Sequence, residues 1–143
     1  MRFDLISIFP DYFTPLTLSL MGKAEDAGLV TLAAHDLRQW ATGKHRSVDD
    51  TPYGGGAGMV MRADVWARAL DDALATSLAC ENAEAATASC RRVLAIPTPS
   101  GTPLTQPVVE DLARADQIVV ACGRYEGIDA RVAQHYRAAG VEV

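Results

Sequence analysis

Positive charge is in short supply in this chain. Thirteen lysines and arginines against 18 aspartates and glutamates leave a formal net charge of −5. That excludes a generally basic nucleic-acid binder, so an RNA partner would have to meet a local patch. Long hydrophobic runs are missing too. Met1-Arg2-Phe3-Asp4 places an acid at once and only a short apolar run follows, so neither a signal peptide nor a membrane span is expected. Cysteine is sparse: Cys80, Cys90 and Cys122 are an odd number without the CxxC spacing of metal sites. Three reduced thiols in a cytoplasmic protein are the expectation, and no metal ligands are assigned. Familiar catalytic signatures are absent as well. GxxxxGK[ST] does not occur. GxGxxG fails because Met59 and Met61 stand where its last glycine would be, and neither HExxH nor a Ser-His-Asp spacing is found.

What is present is a chain of 143 residues, 49% hydrophobic and 22% charged, the profile of one ordinary globular domain or part of one. Phe3 to Phe9 reads as a buried strand. Pro10-Asp11 opens a helical stretch that carries Phe13, Leu16, Leu18 and Met21 and stops near Gly28. Leu29 to Ala34 is a second strand, followed by a long polar loop from Asp36 to Pro52. Asp64 is placed to cap a helix with Trp66, Ala69/Leu70 and Ala73/Leu74 on one face. Thr76 to Ser89 reads as a poorly ordered connection. Arg92 to Ile96 is a strand stopped by Pro97. Thr105 caps a helix, Ile118 to Ala121 is another strand, Ile128/Val132/Tyr136 have helical spacing, and Val141-Glu142-Val143 begins a further strand. This alternation predicts an α/β fold, a mostly parallel sheet with helices on both faces.

Two glycine-bearing loops stand out. Tyr53-Gly54-Gly55-Gly56-Ala57-Gly58 lies upstream, and Cys122-Gly123-Arg124-Tyr125-Glu126-Gly127-Ile128-Asp129 joins a strand to a helix. Strand-to-helix tips are where α/β proteins place ligands. In a parallel sheet the tips after Ile96 and Ala121 share the carboxyl edge and face one ligand. Thr98 offers a hydroxyl and Glu126 can accept from an amine or a ribose hydroxyl. Lysine is missing from both tips, which suits a nucleoside-like cofactor better than a polyphosphate.

Each reading has a plainer rival. The glycine run could be a flexible turn, and Tyr125-Glu126 a satisfied loop pair. Lys44-His45-Arg46 reads as a solvated face, Trp66 and Met61 as core, and Tyr12 and Tyr53 as packing residues. Cys122 reads as a small buried apolar group, and His35 and His135 receive no role.

Ile8-Phe9-Pro10, the run from His45 through Asp49-Asp50 and Gly54 to Met59, and Cys122 to Asp129 together resemble bacterial tRNA (guanine-N1)-methyltransferases of the TrmD type, in order along nearly the whole chain. The resemblance implies an S-adenosylmethionine-dependent enzyme of the SPOUT class, with a parallel sheet tied into a trefoil knot. It implies a cytoplasmic homodimer that methylates N1 of the guanine 3′ of the anticodon in tRNA, with Mg²⁺ as a further cofactor. By the same likeness the cofactor contacts Ile96, Pro97, Thr98, Pro99 and Gly101 in one loop and Gly123, Tyr125, Glu126, Gly127 and Ile128 in the other. Ile96 departs from the family's aromatic residue at its position. Glu126 orients the guanine, the cofactor or a magnesium ion, while Arg46 and Asp50 belong to a loop closing over methyl donor and target base. The family's knot-completing run, its general base and its C-terminal tRNA-gripping domain have no counterpart in residues 1–143. The chain is therefore read as an N-terminal cofactor-binding domain, incomplete at its carboxyl end. A non-catalytic nucleoside- or RNA-binding α/β module and a SPOUT methyltransferase for ribosomal RNA are the alternatives, and the His45 to Met59 run argues against the second.

Overall fold

The computed structural model describes residues 1–75 and 90–143. Its centre is a four-stranded parallel sheet in the order β2-β1-β6-β5, built from β1 (Arg2–Ser7), β2 (Thr31–Asp36), β5 (Arg92–Ala95) and β6 (Gln117–Ala121). A two-stranded antiparallel ribbon, β3 (Asp49–Asp50) with β4 (Val60–Met61), stands beside it. The helices are α1 (Ser19–Asp26), α2 (Ala63–Ala75), α3 (Gln106–Leu112) and α4 (Ala130–Ala138), with 3-10 segments at Pro10–Thr17 and Leu37–Trp40. No helix among the described residues is long and apolar enough to cross a membrane.

Alternation along the strands explains the layers. Ile6, Leu94, Val119 and Ala121 point to one face, where Val65, Trp66, Ala69 and Leu70 of α2 and Val132 and Tyr136 of α4 close a buried cluster. The opposite face carries Val93 and Ile118 with Phe3 and Val120, covered by Leu112 of α3 and by Ala115. Strands buried on both faces need near-continuous apolar sequence, which β6 (Gln-Ile-Val-Val-Ala) has. Trp66 and Met61 are fully buried, as expected of core residues.

A polar cluster enters this core near the amino ends of β1 and β6. Asp4, only 1% exposed, accepts from Arg2 Nε and Nη2 at 2.8 and 2.7 Å and from Gln117 Nε2 at 2.7 Å, and contacts His35 Nε2 at 2.8 Å. Gln117 also donates to the Ala73 carbonyl at 2.9 Å, which ties the sheet to α2.

Several sequence expectations shift. The single helical stretch after Pro10 is two: Pro15 lies inside the first segment, Leu18 is extended between them, and Ser19, which opens the second, takes φ +55. β2 starts two residues later than Leu29, which is exposed. Asp64 lies in the first turn of α2 and binds Arg62 and Arg68. Thr105 occupies the position before α3, yet its side chain makes no capping bond. Tyr12 and Tyr53 do not pack: they are 84% and 103% exposed. Cys122 is a free thiol, and Cys80 lies outside the described residues. The connection expected at Thr76 to Ser89 lies outside the described residues. Val141 to Val143 adds one parallel bridge, Glu142 to Val93, on the outer edge of β5.

Candidate functional site

β5 and β6 are neighbours and run parallel, so the segments that follow them emerge side by side. After β5, Pro97 and Pro99 have no N–H for a ladder and end the strand. Gly101 N–H donates to the Thr98 carbonyl at 3.1 Å and closes a turn. After β6, Cys122 N–H still donates to Ile6 at 2.9 Å, and Gly127 N–H then donates back to Arg124 at 3.1 Å. Tyr125 takes φ +58 in this turn, an uncommon conformation for an aromatic side chain. Asp129 caps α4 by accepting from the Arg131 N–H at 2.9 Å.

Between the two segments lies a cleft of about 880 Å³, within the usual size of small-molecule sites. Ile96, Pro97, Thr98, Pro99 and Gly101 line one side, and Gly123, Tyr125, Glu126, Gly127 and Ile128 the other. Every residue expected at the cofactor therefore lies in one cavity. A smaller concavity of about 310 Å³, between Pro10–Thr17 and the β1–β2 face, holds no residue of either glycine loop.

The upstream glycine loop is tied to this cleft through the residues that follow it. Glu126 N–H donates to the Met59 carbonyl at 3.0 Å, Met61 N–H to Gly127 at 2.9 Å, and Asp129 N–H to Met61 at 3.2 Å. The Met61 sulfur accepts from Arg124 N–H at 3.1 Å. Segment 59–61 thus runs alongside the second loop, with a parallel bridge between Met61 and Ile128.

Charge is distributed unevenly. The Asp129 carboxyl is held below its ordinary range by the Arg131 guanidinium, whose Nη2 lies 2.6 Å away. Arg124 sits over the Phe9 ring at 5.4 Å. Glu126 is exposed, and among the described residues its carboxylate has no hydrogen-bond or ion-pair partner. Burial pushes the Cys122 thiol up, away from the thiolate a nucleophile needs. No group of three or more His, Cys, Asp or Glu among the described residues could hold a metal ion.

Arg46 and Asp50 do not line the cleft. Arg46 is exposed in a left-handed turn (φ +44), with no side-chain partner among the described residues. Asp50 stands opposite Val60 in the ribbon, next to the Met61 that bridges to Ile128, and its Oδ1 accepts from Thr51 N–H at 2.8 Å. The loop thus approaches the site through the ribbon. Sequence reading missed the contribution of α4: Ala130, Ala133, Gln134 and Arg137 line the cleft together with Val143. Their i, i+3, i+4, i+7 spacing was the available signal.

Comparison with known proteins adds the following. The family model described as "tRNA (Guanine-1)-methyltransferase TrmD" matches residues 1–142. The chain is 54% identical over 132 residues to a tRNA (guanine-N(1)-)-methyltransferase of Arthrobacter sp. (strain FB24), covering 92% of this chain and 46% of that protein. Identity to the protein of the same name from Bifidobacterium animalis subsp. lactis (strain AD011) is 51% over 144 residues, covering 100% and 52%. For that of Thermobifida fusca (strain YX) it is 54% over 133 residues, covering 93% and 47%. The chain spans about half the length of the curated relatives it matches.

Proposed function

This chain belongs to the tRNA (guanine-1)-methyltransferase TrmD family, and from that premise we propose that its cleft binds S-adenosylmethionine for methyl transfer to N1 of the guanine 3′ of the anticodon in tRNA. The observation that carries the reading is the convergence of the Ile96–Gly101 and Gly123–Ile128 loops on one cavity at the carboxyl edge of the sheet.

The residues present fit the group. The cavity has room for a nucleoside with its amino-acid tail. Gly123 brings its backbone close to the Ile128 side chain: a Cβ there would lie 3.3 Å from Ile128 Cγ1. Thr98 supplies a hydroxyl, Tyr125 a ring, and Glu126 a negative charge beside a bound cation. S-adenosylmethionine supplies a methyl group on a positively charged sulfur. Transfer of that methyl to N1 would leave the bonding pair on sulfur and would need a base to take the N1 proton. Glu126 is placed to accept hydrogen bonds from the guanine edge or from the cofactor and so to orient the reacting pair. No residue of 1–143 is assigned as the base that takes the N1 proton. Arg46 and Asp50 act from the loop that leads into the ribbon, with Arg46 contacting tRNA phosphate or base. No step is assigned to Mg²⁺.

Assembly as a homodimer accords with the exposed apolar side chains Phe9, Tyr12, Leu18, Leu20 and Met21, which a second copy would cover. A tRNA substrate accords with a cytoplasmic protein. The test is incubation of the full-length protein with labelled S-adenosylmethionine and tRNA transcripts, mapping the product by the primer-extension stop that a Watson–Crick-edge methyl causes. Label on transcripts with guanine 3′ of the anticodon, and none where adenine replaces it, is expected. Cofactor binding without transfer to any tRNA would leave only a nucleoside-binding module.

A further inference from the structure

Gly58 ends the upstream glycine loop, with φ +94. It differs from its neighbours in what lies around it. A Cβ built at Gly54, Gly55 or Gly56 would meet nothing within 4 Å, whereas one at Gly58 would lie 2.7 Å from Glu126 Cγ, 2.9 Å from Oε1 and 3.1 Å from Cδ. The side chain of Glu126 therefore lies in the space that any other residue at position 58 would need. A backbone hydrogen bond ties the two segments together beside it: Glu126 N–H donates to the carbonyl of Met59, the residue after Gly58, at 3.0 Å.

We propose that Gly58 is a positioning residue for Glu126: the missing side chain at 58 leaves the room that the Glu126 side chain occupies, and any side chain there would turn the carboxylate away. The two glycine loops then act as one unit. A shift of the loop that carries Arg46 and Asp50 is passed to the carboxylate through the Gly58–Met59 backbone. This inference rests on the reading of Glu126 as the group that orients the reacting pair, but the steric coupling stands apart from that reading and is measured separately.

The strain common to any side chain at positive φ is controlled by Gly54→Ala, because Gly54 has φ +100 and open surroundings. In the full-length protein, Gly58→Ala is expected to lower Tm more than Gly54→Ala does. In a Glu126→Ala background, which removes the clashing atoms, the Tm loss from Gly58→Ala should shrink to that of Gly54→Ala. An equal Tm loss from Gly58→Ala in both backgrounds would overturn the coupling, whatever the protein's activity. In tRNA methylation, Gly58→Ala should reduce kcat by about a hundredfold, the scale of a misplacement of about 1 Å. It should cause no further loss once Glu126 is alanine. Additive losses in kcat would show that Gly58 acts on the reaction by another route. If the Tm coupling holds while Glu126→Ala leaves methylation intact, the positioning is real and the role given to Glu126 fails.

Discussion

The two ends of the sheet treat their carboxylates in opposite ways. Near the amino ends of β1 and β6, Asp4 is buried and bound by Arg2, His35 and Gln117. Beyond the carboxyl end of β6, Glu126 is exposed and has no partner among the described residues. A buried charge persists only where its hydrogen-bonding capacity is filled, so Asp4 belongs to the folded state's own interactions. An unpartnered carboxylate at the rim of a cleft keeps that capacity for something else. The difference separates residues that stabilise the protein from residues open to a ligand, and it does so without reference to sequence motifs.

The largest effect that would sharpen this contrast is at Asp4. Asp4→Ala removes one partner from a buried cluster and leaves the Arg2 guanidinium without its pair, so a loss of about 3–5 kcal/mol is expected in denaturant unfolding. Glu126→Ala should do the reverse. Methylation should fall by about a hundredfold while the denaturation midpoint stays within error of the parent. A large stability loss at Glu126, or none at Asp4, would break the comparison.

The pH dependence follows from the same cluster. Burial by itself would push the Asp4 carboxyl up, but the hydrogen bonds from His35, Arg2 and Gln117 outweigh it and hold the group well below the usual carboxylate range. A carboxyl whose folded pKa is depressed contributes stability that is fully present above its unfolded value, about 3.9, and is lost as pH falls toward the folded value. Unfolding free energy should therefore drop below about pH 4, and Asp4→Asn should flatten that drop. The smallest expected effect is at Tyr136 on α4. Its hydroxyl donates to Asp71 Oδ1 at 2.7 Å and lies 3.0 Å from the Ala67 carbonyl. Tyr136→Phe should cost about 1 kcal/mol, with no change in cofactor binding, since Tyr136 does not line the cleft.

The carboxyl-edge site was more legible in the sequence than the amino-edge cluster. Proline after β5 and glycine after β6 are local signals, and parallel alternation alone places both tips on one edge. The Asp4 cluster joins residues from β1, β2 and β6, and nothing local marks Gln117 as a partner for a residue more than a hundred positions away. His35 gave no signal for the same reason. Strand β6 was plain because both its faces are buried. The stretch after Pro10 was not, since its apolar spacing fits one helix while Pro15 and the positive φ of Ser19 divide it. The closeness of Gly58 to Glu126 was equally out of reach, because it depends on how segment 59–61 pairs with the second loop.

Calorimetric titration of S-adenosylmethionine into the full-length protein and its Gly123→Val variant decides whether the cleft between the two loops is the cofactor site. A Cβ at Gly123 already meets Ile128 Cγ1 at 3.3 Å, and the branched side chain would extend further into the same crowded space. Saturable binding to the parent protein is expected, with its loss in a variant that remains folded by circular dichroism. Undiminished binding to Gly123→Val would place the cofactor outside this cleft.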